Sequence, residues 1–255
     1  MCTVSWRIKP GGYEVFFNRD EQRSRPEAEA PKLWNPQDGG ARFLAPVDPQ
    51  AGGSWISVNE KGLCAAVLNY YGKDALGVST EGGQSVRSRG LLLVDLAVSR
   101  GLAECIHGLE NLLSEETYQP FILLALDARG DCRIRCWNGS ELQVIERPSP
   151  CFLSTSSFEQ DRVAQARKDA YTSFVSDLES PNPAALQAFH RWHDSRSPET
   201  SVLMSRPDAR TVSLTQIELS VEWAWMDYFR VKDSQPPELE LTVCEELPQK
   251  QAGRY

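Results

Sequence analysis

The chain has 255 residues, of which 41% are hydrophobic and 24% charged, and its formal net charge is -8. This composition is typical of a folded globular protein and excludes a fibrous or disordered one. The negative charge argues against a nucleic-acid partner, because phosphate binding depends on clustered basic side chains. No apolar run approaches the roughly 20 residues that cross a bilayer, and no signal peptide is evident. We therefore expect a cytoplasmic protein without an integral membrane segment.

The first third of the chain is rich in predicted strands. The runs CTVSWRI and YEVFFN are joined by Lys9-Pro10-Gly11-Gly12, whose proline and glycines suit a hairpin turn. Residues 21–53 are rich in Pro, Gly and charge and lack periodicity, which predicts a long functional or disordered loop. A second hairpin is predicted over residues 54–72, with its turn at residues 59–62.

The spacing of apolar residues becomes helical from Arg87 to about Leu113, with a break near Gly101. Further patterns predict a meander over 120–146, a strand over 151–155, helices over 158–178 and 184–193, and strands over 211–219, 222–231 and 239–247. The alternation of strand groups with helix groups indicates segregated layers. We predict an α+β fold, a four-layer α-β-β-α sandwich with antiparallel sheets, formed by residues 1–255 as one domain.

Cys2 directly follows the initiator methionine. Removal of Met1 would place a thiol and an α-amine on the same residue. The α-amine has an ordinary pKa of about 7.7–8.0, so it can act as the general base for the thiol near neutral pH. Cys2 is therefore a candidate nucleophile.

Several short motifs support this interpretation. Residues 18–21 read Asn-Arg-Asp-Glu, and they are followed by AGGSW at 51–55, NEKGL at 59–63 and SRG at 88–90. Together these motifs resemble the NRDE family, also called the transport and Golgi organisation two family. Their order is also similar to choloylglycine hydrolases and penicillin V acylases, which are N-terminal-nucleophile (Ntn) hydrolases with a mature N-terminal cysteine.

The resemblance implies a role for each matching residue. Cys2 would be the nucleophile, Arg19 would favour its thiolate, and Asp20 or Glu21 would bond the α-amine. In the related hydrolases the Arg and Asp are two residues apart, whereas Arg19 and Asp20 are adjacent and would point to opposite faces of a continuing strand. Further implied site residues are Asn69 as an oxyanion donor, Arg210 near the nucleophile, and Asn18, Glu21 and Thr155 as substrate contacts.

One departure from the related hydrolases concerns the second oxyanion donor. Where they have an asparagine after a short strand, this chain reads Leu153-Ser154-Thr155-Ser156-Ser157. Either a hydroxyl substitutes for the amide or catalysis is impaired, since loss of one oxyanion donor costs roughly 10²–10³ in kcat.

The resemblance leaves two functions open. The first is an amidohydrolase that cleaves a linear, non-peptide amide through an acyl-enzyme, with no metal or cofactor. The second is a non-catalytic protein that binds or traffics haem or another apolar ligand, because eukaryotic members of the family are associated with haem trafficking. Cys2, His190 or His193 would then be candidate ligands, and the aromatic C-terminal strands would line the pocket. Cys132 and Cys136 are interpreted as strand cysteines, not a metal pair.

Overall fold

The computed structural model describes residues 2–78, 85–178 and 180–249. Its first elements, in chain order, are β1 (Cys2–Lys9), β2 (Gly12–Gln22), β3 (Glu29–Trp34), β4 (Phe43–Val47), β5 (Ile56–Asn59), β6 (Cys64–Asn69), β7 (Val86–Arg87), α1 (Arg89–Ala97) and α2 (Leu102–Glu115). They are followed by β8 (Thr117–Tyr118), β9 (Phe121–Leu126), β10 (Cys132–Trp137), β11 (Leu142–Ile145), β12 (Phe152–Thr155), α3 (Gln160–Phe174), α4 (Pro183–His190), β13 (Ala209–Leu219), β14 (Trp223–Lys232) and β15 (Glu238–Pro248).

The long strands form two antiparallel sheets in the described part of the chain. The first sheet has six strands in the order β12-β1-β2-β13-β14-β15, and the second has seven in the order β11-β10-β9-β6-β5-β4-β3. The predicted hairpins are present, and Gly11 and Gly62 adopt the positive φ that their turns require. A short parallel pair, β7-β8, lies outside both sheets.

Three hydrophobic clusters fix the order of the layers. One lies between the sheets and joins Val4, Trp6 and Phe17 of the first sheet to residues such as Ile56 and Leu124 of the second. A second cluster packs α1 and α2 against β6 and β9, and a third packs α3 and α4 against β2 and β13. The layers are therefore helix, sheet, sheet, helix, and the predicted α+β sandwich is confirmed.

The alternation of side chains along β1 and β2 decides what reaches each interface. Cys2 and Arg19 are paired across the two strands and lie on the side that faces the other sheet. Thr3 and Asn18 form the next pair and face the helices α3 and α4. Asp20 shares their side, so the expectation that Arg19 and Asp20 point to opposite faces is confirmed.

The predicted long loop over residues 21–53 is wrong in part, because it contains β3 and β4. Strand β3 is the edge strand of its sheet and its burial is irregular, so its sequence lacks the alternation that identifies most strands. Prolines at positions 31 and 46 add to the loop-like composition. No described helix is long and apolar enough to span a membrane. The single domain over residues 1–255 stays a prediction.

Candidate active site

Cys2 begins the strand β1, which lies between β2 and β12. Its direct partners across these strands are Arg19 and Thr155. The residue is buried, with 7% of its surface exposed, and it lines a cavity of about 480 Å³. The strand therefore presents the predicted nucleophile at the wall of a cavity large enough for a small molecule.

The environment of Cys2 keeps its thiol protonated. Burial raises the pKa of the thiol above its usual value, and the negative charge of Asp20 acts in the same direction. The positive charge of the amino terminus lowers the pKa most, followed by the backbone N–H of Asp20 and the guanidinium of Arg19, but together they do not offset the burial. The thiol therefore needs a base before it can attack a carbonyl group.

Arg19 is held beside Cys2 by an aromatic ring and two carboxylates. Its guanidinium carbon lies 4.3 Å from the centre of the Trp55 ring. The Nη2 atom is 3.1 Å from a Glu21 carboxylate oxygen and 3.6 Å from one of Asp48. Arg25 contacts both carboxylates as well. Glu21 is thus part of a four-residue ionic network along one wall of the cavity.

Asp20 is bonded on the opposite side of the sheet. Its Oδ2 accepts a hydrogen bond of 3.2 Å from Arg167, and its Oδ1 accepts one of 2.6 Å from Thr211. Arg167 is 1% exposed and also donates to the hydroxyls of Thr3 and Ser154, at 2.6 and 3.1 Å. One guanidinium therefore connects Asp20 of β2 to the nucleophile strand β1 and to β12 on its other side.

Arg167 was not found by the sequence analysis. It lies on α3, whose other buried residues are Val163, Ala170 and Tyr171. The spacing of these residues along the helix places position 167 on its buried face. An arginine on a buried face is unusual, because a buried cation needs a partner. An arginine that occurs at the helical spacing of buried residues is therefore the signal that identifies Arg167 in the sequence.

Asn69 lines the Cys2 cavity, as the resemblance implies. It is the last residue of β6, and its Nδ2 donates a hydrogen bond of 2.9 Å to the hydroxyl of Tyr71. A primary amide has two N–H groups, so one remains for a ligand. Its role as an oxyanion donor stays a prediction.

Thr155 lies directly beside Cys2. The two residues are partners across β1 and β12, so their side chains share one face of the sheet. The Thr155 hydroxyl is buried and has no hydrogen-bond partner among the described residues. Of its neighbours, Ser154 is bonded to Arg167, and Ser157 lines the cavity. The segment that lacks the expected asparagine thus places one unpaired hydroxyl next to the thiol.

Asn18 and Arg210 are not brought to the Cys2 cavity, so these two site predictions need correction. The fully buried side chain of Asn18 bonds to His190, because it faces α4 and not the other sheet. Arg210 pairs with Glu21 across β13 and β2 and donates to the carbonyl oxygen of Val231 at 2.6 Å. It lines a neighbouring cavity of about 320 Å³. Arg206, from the preceding segment, lines the Cys2 cavity instead.

His190 is part of a buried hydrogen-bonded set with Ser5 and Asn18. Its Nδ1 donates to Asn18 Oδ1, and its Nε2 accepts from the Ser5 hydroxyl at 2.7 Å. Burial, with a smaller effect from Arg167, lowers the pKa of His190 to about 3, so the imidazole is neutral. All three residues are fully buried, and the set joins α4 to the sheet without offering an accessible nucleophile.

Of the candidate haem ligands, Cys2 is the one that reaches the described lining of the cavity. Histidines are absent from the described lining, and His193 bonds to the carbonyl oxygen of Leu203. The aromatic residues of β14 are likewise absent from that lining, which is mainly polar and charged. No described group of three or more His, Cys, Asp or Glu side chains is arranged to hold a metal ion. Cys132 and Cys136 pack in or against the core between the sheets.

Two glycine-containing motifs position one wall of the cavity. Gly53 lies so close to Gly90 that a Cβ at position 53 would be 2.2 Å from the Gly90 carbonyl carbon. The N–H of Ser54 also donates to the Gly90 carbonyl oxygen at 3.0 Å. This contact sets the start of α1, where Ser88 caps the helix and Arg89 lines the cavity. The NEKGL motif is structural, because the Asn59 amide donates to the carbonyl oxygens of Ala97 and Ser99.

The fold is similar to that of several solved amidases. A mutant of the conjugated bile acid hydrolase from Clostridium perfringens matches with a TM-score of 0.57 and 12% identity, covering 98% of this chain and 97% of that chain. Penicillin V acylase from Agrobacterium tumefaciens matches with a TM-score of 0.54 and 14% identity, covering 89% and 82%. The N-acylethanolamine-hydrolyzing acid amidase ortholog of Caenorhabditis elegans matches with 0.54 and 8%, covering 85% and 92%. At these identities the similarity establishes the Ntn-hydrolase fold alone.

A search of curated proteins found no match. The family model for Transport and Golgi organisation 2, in contrast, matches residues 1–218, which include β1, the ionic network, α1 and most of β13. The matched range thus covers the cavity and the layers on both sides of it. The chain belongs to the Transport and Golgi organisation 2 family.

Proposed function

We propose that the protein is an amidohydrolase that uses Cys2 as an N-terminal nucleophile on a linear, non-peptide amide. The observation that carries the proposal is the position of Cys2, at the wall of a polar cavity and directly opposite Arg19. The fold supports it, since the similar solved proteins are named a conjugated bile acid hydrolase, a penicillin V acylase and an N-acylethanolamine-hydrolyzing acid amidase. The proposal requires removal of Met1.

Acylation begins with a proton transfer from the thiol to the α-amine of Cys2. The thiolate attacks the amide carbon, and the resulting oxyanion accepts hydrogen bonds from Asn69 and backbone N–H groups. The ammonium then returns the proton to the leaving nitrogen, the C–N bond breaks, and the acyl group remains as a thioester on Cys2. Because burial raises the pKa of the thiol, the adjacent amine is needed as a base.

Deacylation uses the same groups in reverse. The α-amine takes a proton from water, and the water oxygen attacks the thioester carbon. Collapse of the second oxyanion releases a carboxylic acid, and the proton returns to the sulfur. Arg19 stabilises the thiolate in both steps, while Asp20 is the acceptor that we propose for the α-amine.

The unpaired state of the cysteines supports a reducing location for this chemistry. All seven are free, and six of them are at least partly buried. Disulfides form and persist mainly in oxidising compartments, and a thiol nucleophile requires the reduced state. We propose the cytoplasm.

The proposal is tested with protein prepared without an N-terminal tag. We expect an intact mass that lacks Met1, and turnover of simple N-acyl amides that is lost in Cys2→Ala. Cys136→Ala is the matched control, because Cys136 is a buried cysteine of the same inter-sheet core but does not line the cavity. Retention of Met1, or turnover that survives Cys2→Ala, would refute the mechanism.

A further inference from the structure

The arginines that line the Cys2 cavity differ in their partners. In the described part of the chain, Arg19, Arg25, Arg87 and Arg206 each form an ion pair with a carboxylate. Arg89 takes part in none of these described ion pairs. Its hydrogen bond in that part of the chain is a donation of 2.9 Å from Nη1 to the carbonyl oxygen of Pro120. A guanidinium has five N–H groups, so most of its donor capacity is unused.

The environment makes this arrangement costly for Arg89. Burial lowers the pKa of its guanidinium, although Tyr71, Cys2 and Glu21 oppose the shift. The guanidinium is still charged at neutral pH, because arginine loses its proton only at strongly basic pH. Arg89 is partly buried, and a partly buried cation without a described carboxylate partner is stabilised when a ligand supplies the anion.

The start of α1 adds to the positive potential at the same place. Ser88, Arg89 and Gly90 all line the cavity, and Ser88 caps the helix by accepting the N–H of Gly90. The first turn contains no acidic residue to offset the helix dipole. A helix N-terminus with an adjacent guanidinium is a recurrent arrangement for anion binding.

Arg89 also lies where two cavities meet. A second cavity of about 610 Å³ shares Tyr71, Arg89, Gln119 and Ser157 with the Cys2 cavity. A ligand that places its amide at Cys2 can therefore extend past Arg89 into the second cavity. Because Cys2 and Arg89 line the same cavity, the cation favours an anionic group on the part of the ligand that occupies this cavity.

We propose that Arg89 and the N-terminus of α1 bind a carboxylate of the substrate, so that the protein prefers N-acyl amino acids to neutral amides. The inference rests on the proposed function for the identity of the substrate as an amide. The binding of a carboxylate by Arg89 does not depend on turnover. The guanidinium forms two parallel hydrogen bonds with the carboxylate, a geometry that a lysine or an amide cannot reproduce. Arg89 is a specificity-determining residue in this arrangement.

The binding test uses the full chain with Cys2→Ala, which cannot turn its ligands over. Isothermal titration calorimetry compares an N-acylglycine with the N-acylethanolamine of the same acyl chain, because the two differ in a carboxylate against a hydroxymethyl group. We expect the glycine conjugate to bind at least about tenfold more tightly, in keeping with a charge-assisted bidentate pair. Equal affinities, or no binding of the glycine conjugate, would overturn the inference without any variant of Arg89.

Two arginine variants identify the residue responsible. Arg89→Gln is expected to remove the preference for the glycine conjugate. Arg87→Gln is the matched control, because Arg87 lines the same cavity but is paired with Asp95 at 2.7 Å. The preference should survive in Arg87→Gln, and its survival in Arg89→Gln would overturn the inference.

The outcomes separate this inference from the proposed function. A carboxylate preference in Cys2→Ala together with no turnover by the unmodified protein supports the anion site and refutes the hydrolase. Turnover of neutral and carboxylate-bearing amides at equal kcat/KM supports the hydrolase and refutes the anion site.

Discussion

Replacement of Arg167 by methionine tests the buried connection between α3 and the nucleophile strands. Methionine has a similar length but leaves the Asp20 carboxylate, which is fully buried, without its guanidinium partner. Breaking a buried ion pair by removing one partner costs about 3–5 kcal/mol, and the hydrogen bond from Thr211 to Asp20 keeps the expected loss near the lower value. The free energy of unfolding should therefore fall by about 3 kcal/mol.

Urea denaturation followed by tryptophan fluorescence measures this loss, with unchanged m-values as the condition for comparing variants. The double variant Arg167→Met with Asp20→Asn removes both charges and should recover part of the stability that Arg167→Met loses. Turnover by Arg167→Met should fall at the kcat level, since Asp20 and the strands carrying Cys2 and Thr155 lose a common support. A loss of stability below about 1 kcal/mol, or additive effects of the two substitutions, would refute a coupled buried pair.

Three further substitutions test separate parts of the site. Asn69→Ala should lower kcat by roughly 10²–10³ with little change in KM, because the proposed role of its amide is to stabilise the oxyanion and not the bound substrate. Thr155→Val should leave the free energy of unfolding unchanged or raise it, since the buried hydroxyl has no described partner. It should lower kcat by roughly 10²–10³ if that hydroxyl replaces the missing asparagine. His190→Gln should flatten the pH dependence of stability. Folded His190 stays neutral down to about pH 3, whereas unfolded histidine binds a proton near pH 6.5, so lowering the pH between these values costs the unsubstituted protein up to about 1.4 kcal/mol per pH unit.

For each of these predictions, one outcome would contradict it. Unchanged kcat in Asn69→Ala would remove Asn69 from the mechanism, and a marked loss of stability in Thr155→Val would show that its hydroxyl is paired. Urea midpoints of the unsubstituted protein and His190→Gln are compared at about pH 7 and about pH 5. Parallel loss of stability in the two proteins would contradict a neutral His190.

The layers could be predicted from the sequence because the order of the strand and helix patterns along the chain matches the order of the elements in the fold. The hairpins were marked by Gly11 and Gly62 at their turns, and the helices by apolar spacing on either side of Gly101. The strand β3 was missed because it is an edge strand that is only partly buried and carries a proline. The strand β4 is fully buried but has only five residues, one of them a proline, so it shows no alternation of polar and apolar residues.

The site was harder to predict because it depends on which face of a strand each side chain occupies. Cys2, Arg19, Glu21 and Asn69 line one cavity, whereas the carboxylate of Asp20 is bonded to Arg167 and Thr211 on the opposite side of the sheet. The resemblance pointed to Arg210, whereas Arg206, which precedes β13 and belongs to no motif, is the arginine that lines the cavity. Arg167 comes from α3 and contacts Asp20 across 147 positions of sequence, a distance that no local motif spans.

The measurement that tests the central claim most directly is acyl transfer to Cys2. Untagged protein is mixed with an N-acyl p-nitroanilide, quenched in acid to preserve a thioester, and analysed by intact mass and peptide mapping. The account predicts chains that lack Met1 and carry one acyl group on the Cys2 sulfur, and no adduct in Cys2→Ala. Retention of Met1 with no adduct, or an adduct that persists in Cys2→Ala, would contradict it.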